Sequence, residues 1–332
     1  MHSFGRLFRV GLFGESHGPA VGVLTDGCPA GLPLGPKDFA ADLDRRRPGA
    51  RGTTARREAD EPGFLSGVFD GRTTGTPLLI RFENADRDAA AYEAIKITPR
   101  PGHADFVAGV KFGGFQDYRG GGHFSGRVTV GLVAAGVVAK RLIRPVAIGA
   151  RLVEAGGETE IDRAVEAVLR DGDSIGGIVE CTAQDVPAGL GEPFFDAAES
   201  LLAHVVFAIP GVRGIEFGAG FQAARMRGSE HNDPIVDVKG RTATNHAGGI
   251  AGGITNGNPL VFRVAVKPTS SLPRPQATVD LRTGEPGRIV AAGRHDACLA
   301  LRMPVIIEAA TAIVLADLML LEQRIPRVRK DG

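Results

Sequence analysis

Two stretches of this chain are too apolar to lie on a surface. Val128–Ile143 carries no charge before Lys140, and Met303–Leu321 holds only Glu308 and Asp317 in an otherwise uncharged run. A helix at a protein surface shows a polar face. Neither stretch does, so each reads as a helix enclosed on all sides. A bilayer could enclose the second one, but Glu308 and Asp317 are expensive at a bilayer centre. The reading is therefore a soluble core in which sheets cover two buried helices, an α+β fold.

The remaining pattern supplies the sheets. Leu7–Phe13, Val21–Thr25, Leu78–Phe82, Ile178–Thr182 and Leu260–Val266 read as strands. Asp70-Gly71 suggests a hairpin or tight connection between Phe64–Phe69 and Leu78–Phe82. Helices are expected over Pro36–Arg47, over the stretch marked by Ile161, Val165, Val168 and Leu169 with Gly172 as its stop, and over Phe195–Phe207 ahead of Pro210-Gly211. Thr98–Phe124 reads as a long loop. The 47 glycines are spread through all 332 residues, with no linker and no repeat.

A net charge of +1 gives no global reason to bind nucleic acid or a membrane surface. The basic residues cluster locally instead, which points to a small anionic ligand. Cys28, Cys181 and Cys298 lack CxxC spacing, so neither a zinc site nor a disulfide framework is indicated, and no metal is expected. A reducing cytosol fits, and the N-terminus has no signal-peptide pattern.

Several residues could carry chemistry. His17 and His103 each sit beside glycines, as Gly14-Glu15-Ser16-His17-Gly18 and Arg100-Pro101-Gly102-His103-Ala104-Asp105. Each reads either as a surface-loop histidine or as a proton-transfer group. Gly120-Gly121-Gly122 precedes a helix, as a flexible turn or as an anion cradle. Arg45, Arg46, Arg47 and Arg51, with Arg56 and Arg57 nearby, form either a solvated helix end or an anion pocket, since guanidinium forks bind phosphate and carboxylate. Lys267-Pro268-Thr269-Ser270-Ser271 is a polar turn or a set of donors. Asp296 caps a helix or acts in a site.

Together these segments resemble the chorismate synthases. The match runs through Asp26-Gly27-Cys28-Pro29-Ala30-Gly31, Asp44 to Gly49, Thr53-Thr54 with Arg56-Arg57-Glu58, and Asp117-Tyr118-Arg119-Gly120-Gly121-Gly122. It continues through Asn245-His246-Ala247-Gly248-Gly249-Ile250, the 267–271 turn and Gly293-Arg294-His295-Asp296. The resemblance implies one domain over 1–332, a β-α-β sandwich with long buried helices between antiparallel sheets, and a cytoplasmic homotetramer. It implies a lyase of aromatic amino acid biosynthesis. Such an enzyme converts 5-enolpyruvylshikimate 3-phosphate to chorismate by anti-1,4-elimination, with reduced FMN as cofactor. His17 would protonate the departing phosphate, His103 the reduced flavin, and Asp296 would assist at flavin N5. Flavin contacts would come from His123, Phe124, Ser125, Pro210, Gly211, Gly252, Lys267, Pro268, Thr269, Ser270, Ser271 and Arg294. Arg46 and Arg51 correspond to positions given a pyridine-nucleotide (NADP) role. Arg45, Arg100, Ser125 and Arg127 would hold substrate.

Two departures stand out. The chain is short between Arg144 and Asp173 and at its C-terminus, which implies trimmed peripheral elements. His123-Phe124-Ser125-Gly126-Arg127 stands where many relatives read Arg-Ser-Ser-Ala-Arg, so an arginine near the flavin is missing. That leaves a non-catalytic flavin- or phosphate-binding protein as the rival class, against which His17, His103 and Asp296 count. An NADPH-dependent oxidoreductase would show G-x-G-x-x-G after a strand, and this chain does not. An external flavin reductase is therefore expected to supply the reduced cofactor.

Overall fold

Strands with period-two burial form two antiparallel sheets, and the two apolar helices lie between them. The computed structural model describes residues 2–86, 90–291 and 295–329. The chain opens with β1 (Ser3–Phe4), β2 (Arg9–Gly14) and β3 (Ala20–Asp26), then α1 (Ala40–Arg46) and β4 (Gly63–Ser66). A small ribbon of β5 (Val68–Phe69) and β6 (Arg72–Thr73) precedes β7 (Leu78–Glu83). The first sheet has the spatial order β1-β2-β3-β7-β4. In β7, Leu78, Ile80 and Phe82 point into the core while Arg81 and Glu83 point out.

After α2 (Asp105–Phe112) and α3 (Thr129–Leu142) come β8 (Ala147–Ala155), α4 (Ile161–Asp171) and β9 (Gly177–Gln184). Next are α5 (Ala198–Phe207), β10 (Val212–Phe217) and the single turn α6 (Gly228–His231). The hairpin of β11 (Ile250–Ala251) and β12 (Ile254–Thr255) leads to β13 (Leu260–Val266). β14 (Gln276–Val279) and β15 (Pro286–Ile289) form another hairpin before α7 (Met303–Leu321). The second sheet has the order β10-β13-β9-β8.

α3 packs on β2, β3 and β7, α7 packs on β8 and β9, and the two helices pack on each other. This is the β-α-β sandwich. Gly136 permits the close helix contact, because a Cβ there would overlap Ala309 of α7. The segment Leu299–Leu321 is long and apolar enough to cross a membrane, yet 83% of its apolar stretch is buried inside the protein. Its two carboxylates, Glu308 and Asp317, are answered internally. Glu308 is bonded to Arg45 at 2.6 Å and Lys140 at 2.8 Å, and accepts the Ala150 N–H. Asp317 accepts the backbone N–H groups of Arg6, Leu7 and Phe8.

Three expectations change. Phe64–Phe69 does pair with Leu78–Phe82, through β4 and β7, but Asp70-Gly71 turns the small β5–β6 ribbon that lies between them, and β7 pairs with β3 on its other edge. The Thr98–Phe124 loop contains α2, whose short helical pattern lies between turn glycines; Gly113, at φ +62°, closes it. The helix expected from Pro36 begins as a 3-10 turn, Pro36–Phe39, and becomes α-helical at Ala40.

Candidate active site

The Gly120-Gly121-Gly122 turn decides where the chemistry can occur. All three glycines have positive φ, a conformation that side-chain-bearing residues rarely adopt. A Cβ on Gly120 would run into the His17 ring, and one on Gly121 would press on His103 at 3.3 Å. One bare turn thus brings together two histidines that are distant in sequence. Both line a cavity of about 730 Å³ between the sheets and the connecting loops.

His17 is 6% exposed, with its ring edge toward Tyr92 at 5.1 Å between centroids. Its Nδ1 is buried with no hydrogen-bond partner among the described residues. Burial and then the Arg56 guanidinium lower its pKa; Asp117 opposes them, and Arg119 lowers it by its charge while its backbone hydrogen bond raises it. Arg56 is fixed by Ser16 Oγ at 2.8 Å, Ser16 O at 2.9 Å and Glu58 at 2.7 Å.

His103 lies 2.6 Å from Asp105, and Arg100 binds the same carboxylate. Arg100 also donates to Ser271 Oγ at 2.9 Å. Lys267 Nζ donates to Gly102 O at 2.5 Å and Ser270 Oγ at 2.9 Å. These bonds fasten the 100–105 turn to the 267–271 turn. Burial and neighbouring Arg213 lower the Lys267 pKa, and no carboxylate pairs with this lysine among the described residues.

A second cluster holds the arginines. Arg46 and Arg127 share Asp60, Arg46 at 2.5 Å, and Arg127 also bonds Asn84 Oδ1 at 2.9 Å. Arg46 is fully enclosed, and its Nε and Nη1 have no hydrogen-bond partner among the described residues. Burial lowers its pKa to about 10, against the pull of Asp60. Asp296 accepts the Thr54 N–H at 2.9 Å and lies 3.2 Å from Arg302, which also donates to Arg46 O.

Most of the residues singled out from sequence line this cavity: His17, His103, Asp296, Arg46, Arg100, Arg127, His123, Phe124, Ser125, Pro210, Gly211 and the whole 267–271 turn. His123 donates from Nδ1 to Gly14 O at 2.8 Å, so its orientation is set by the backbone. Three residues lie elsewhere. Arg45 turns to Glu308, whose buried charge needs it. Arg51 pairs with Glu166 on the surface, 70% exposed. Gly252 sits at φ +61° in the turn joining β11 to β12, where it supplies a tight bend. Arg294 lies outside the described residues.

Sequence reasoning passed over Arg302, Asp60, Glu58 and Asp105 as site components. Arg302 carried one signal, as the lone charge between Asp296 and Glu308. Among the described residues the cavity lining contains six cationic side chains, Arg46, Arg56, Arg100, Arg127, Lys267 and Arg302, against three carboxylates, Glu58, Asp86 and Asp296. It suits a polyanionic ligand.

Comparison with known proteins agrees with that geometry. Residues 8–320 match the family profile described as Chorismate synthase. A chorismate synthase of Chitinophaga pinensis is 60% identical over 332 residues, covering 100% of both chains. One from Archaeoglobus fulgidus is 46% identical, covering 98% of this chain and 99% of its own. The chain belongs to the chorismate synthase family. A crystal structure of a chorismate synthase superposes with a TM-score of 0.74 at 27% identity, covering 96% of this chain and 93% of that one. Chorismate synthases are lyases that complete the common part of the shikimate pathway, and that is this chain's activity. Membership implies a flavin cofactor and a small-molecule substrate.

Proposed function

We propose that the cavity binds 5-enolpyruvylshikimate 3-phosphate beside reduced FMN and eliminates phosphate from C3 and hydrogen from C6. The observation that carries this reading is the single glycine turn that carries His17 and His103 into one cation-rich cavity.

The residues fit both ligands. Lys267 is a cation without a carboxylate partner among the described residues, next to Thr269, Ser270 and Ser271, and suits the flavin phosphate. Phe124, Leu132, Phe207 and Met303 give the cavity an apolar wall for a ring system. Arg46, Arg56, Arg127 and Arg302, also in the lining, suit a substrate with two carboxylates and a phosphate.

The chemistry a reduced flavin supplies when bound is electron density for the breaking allylic C–O bond. The protein orients the reactants and manages charge and protons. Substrate anions offset the Arg56 cation beside His17, which favours a proton on that ring. That ring can then pass the proton to the departing phosphate. His103 moves a proton at its own ring, and Asp296 holds or accepts one at its carboxylate, steadied by Thr54 and Arg302. The burial of this machinery excludes water.

The chain acts as one domain over 1–332, since a single core spans both sheets. A cytoplasmic homotetramer, with an external reductase supplying reduced FMN, completes the reading. The exposed Phe194, Phe195 and Phe221 support subunit contacts.

Binding titrations test the division of the cavity. Lys267→Ala should weaken FMN by about 10- to 100-fold and Arg46→Leu should weaken substrate by a similar factor. Variants that both weaken the same single ligand would contradict the arrangement.

A further inference from the structure

The turn that carries His103 contains a carboxylate with no part in the scheme above. Asp105 opens α2 with its side chain 6% exposed. Its Oδ2 accepts the Arg100 backbone N–H at 3.1 Å and Nε at 2.8 Å, and its Oδ1 accepts Arg100 Nη2 at 2.8 Å. The same Oδ1 lies 2.6 Å from His103 Nδ1.

Burial alone would raise the Asp105 pKa. The hydrogen bonds from Arg100 and His103 outweigh it and hold the carboxyl far below the usual carboxylate range. An ionised carboxylate only accepts hydrogen bonds, so the short contact requires a hydrogen on His103 Nδ1. Arg100 cannot set the tautomer. Its Nη2 lies 3.1 and 3.2 Å from the two ring nitrogens, and no in-plane hydrogen bond to both is possible at near-equal distances. The opposite ring edge, with Cε1 and Nε2, faces Gly121, and His103 itself lines the cavity.

We propose that Asp105 is a positioning residue that fixes His103 as the Nδ1–H tautomer and so presents Nε2 to the cavity as the atom that exchanges a proton. This rests on the reading of His103 as a proton-transfer group. Arg100, itself tied to Ser271, holds the carboxylate still, so the ring cannot rotate without losing its hydrogen bond to Asp105. Asparagine at position 105 keeps the shape but can offer either an amide N–H or a carbonyl to Nδ1, and the preference for one tautomer is lost.

Nitrogen NMR on isotope-labelled histidines tests this, at a pH where the ring is neutral, with His103 assigned by its loss in His103→Gln. Anaerobic turnover is measured on the same proteins. The expected result is a hydrogen on Nδ1 in the wild type. Asp105→Asn should mix or invert the tautomers and lower kcat by about 100-fold, with KM within about threefold. Asp105→Glu keeps the charge and should recover part of both readouts. A wild-type ring protonated at Nε2 would overturn the proposal, whether or not Asp105→Asn folds. So would wild-type kcat in Asp105→Asn, and both results leave the role of His103 standing. Full turnover in His103→Gln would remove that role and the proposal with it.

Discussion

Burial and the Arg56 guanidinium make the His17 ring reluctant to take a proton, which sets how this residue responds to pH. Its proton affinity is lower in the fold than in the unfolded chain. As pH falls below about 6.5 the unfolded chain binds the proton first. The His17 contribution to stability is thus fully present above that value and is lost as pH falls through the folded pKa. Between pH 7 and 5 the melting temperature of the wild type should fall more steeply than that of His17→Asn, which does not titrate. Parallel melting curves would contradict the environment described for His17. For turnover, His17→Ala and His103→Ala should each lower kcat by about 100-fold or more, the usual scale for acid–base groups. Unchanged kcat in either variant would take that histidine out of the mechanism. The sequence marked both histidines because in each an imidazole, which changes charge near neutral pH, sits beside glycine. It could not sort the arginines. Adjacent arginines on α1 point about 100° apart, and the partner each meets, Glu308 for Arg45 and Asp60 for Arg46, comes from distant chain.

Helix α7 shows what an apolar run requires when it carries charge. Glu308 is buried, yet Arg45 and Lys140 keep its pKa lowered against the effect of burial. Glu308→Gln removes one partner from that cluster. Breaking a fully buried pair costs about 3–5 kcal/mol, but Arg45 is half exposed and can rehydrate, so a loss of about 2 kcal/mol is expected in urea unfolding. A loss below about 0.5 kcal/mol would mean that the ion pairs contribute nothing. Gly136→Val tests the α3–α7 contact, where overpacking should cost about 1–3 kcal/mol or more. Both helices were legible because a run without a polar face has no surface solution. Helix α2 was not, because eight residues between turn glycines give too short a period to stand out. β10 escaped for a related reason, as Arg213, Gly214 and Glu216 interrupt its apolar alternation.

For the whole molecule, the layers were legible to the extent that two buried helices demand two covering sheets. Which strands join which sheet was not, because pairing depends on contacts such as β3 with β7 that skip intervening chain. The site combines loops from both halves of the sandwich, so its arrangement follows from the fold as a whole. The reading of an external reductase belongs at this scale. With oxidised FMN and NADPH alone, chorismate formation should be slight, and robust turnover without a reductase would contradict that part of the account. The central claim is that this cavity carries out the elimination. Its most direct test is chorismate formation by the purified protein from 5-enolpyruvylshikimate 3-phosphate, with chemically reduced FMN and no oxygen. The account requires many chorismates per flavin with one phosphate released for each. A protein that binds both ligands and releases neither product would contradict it.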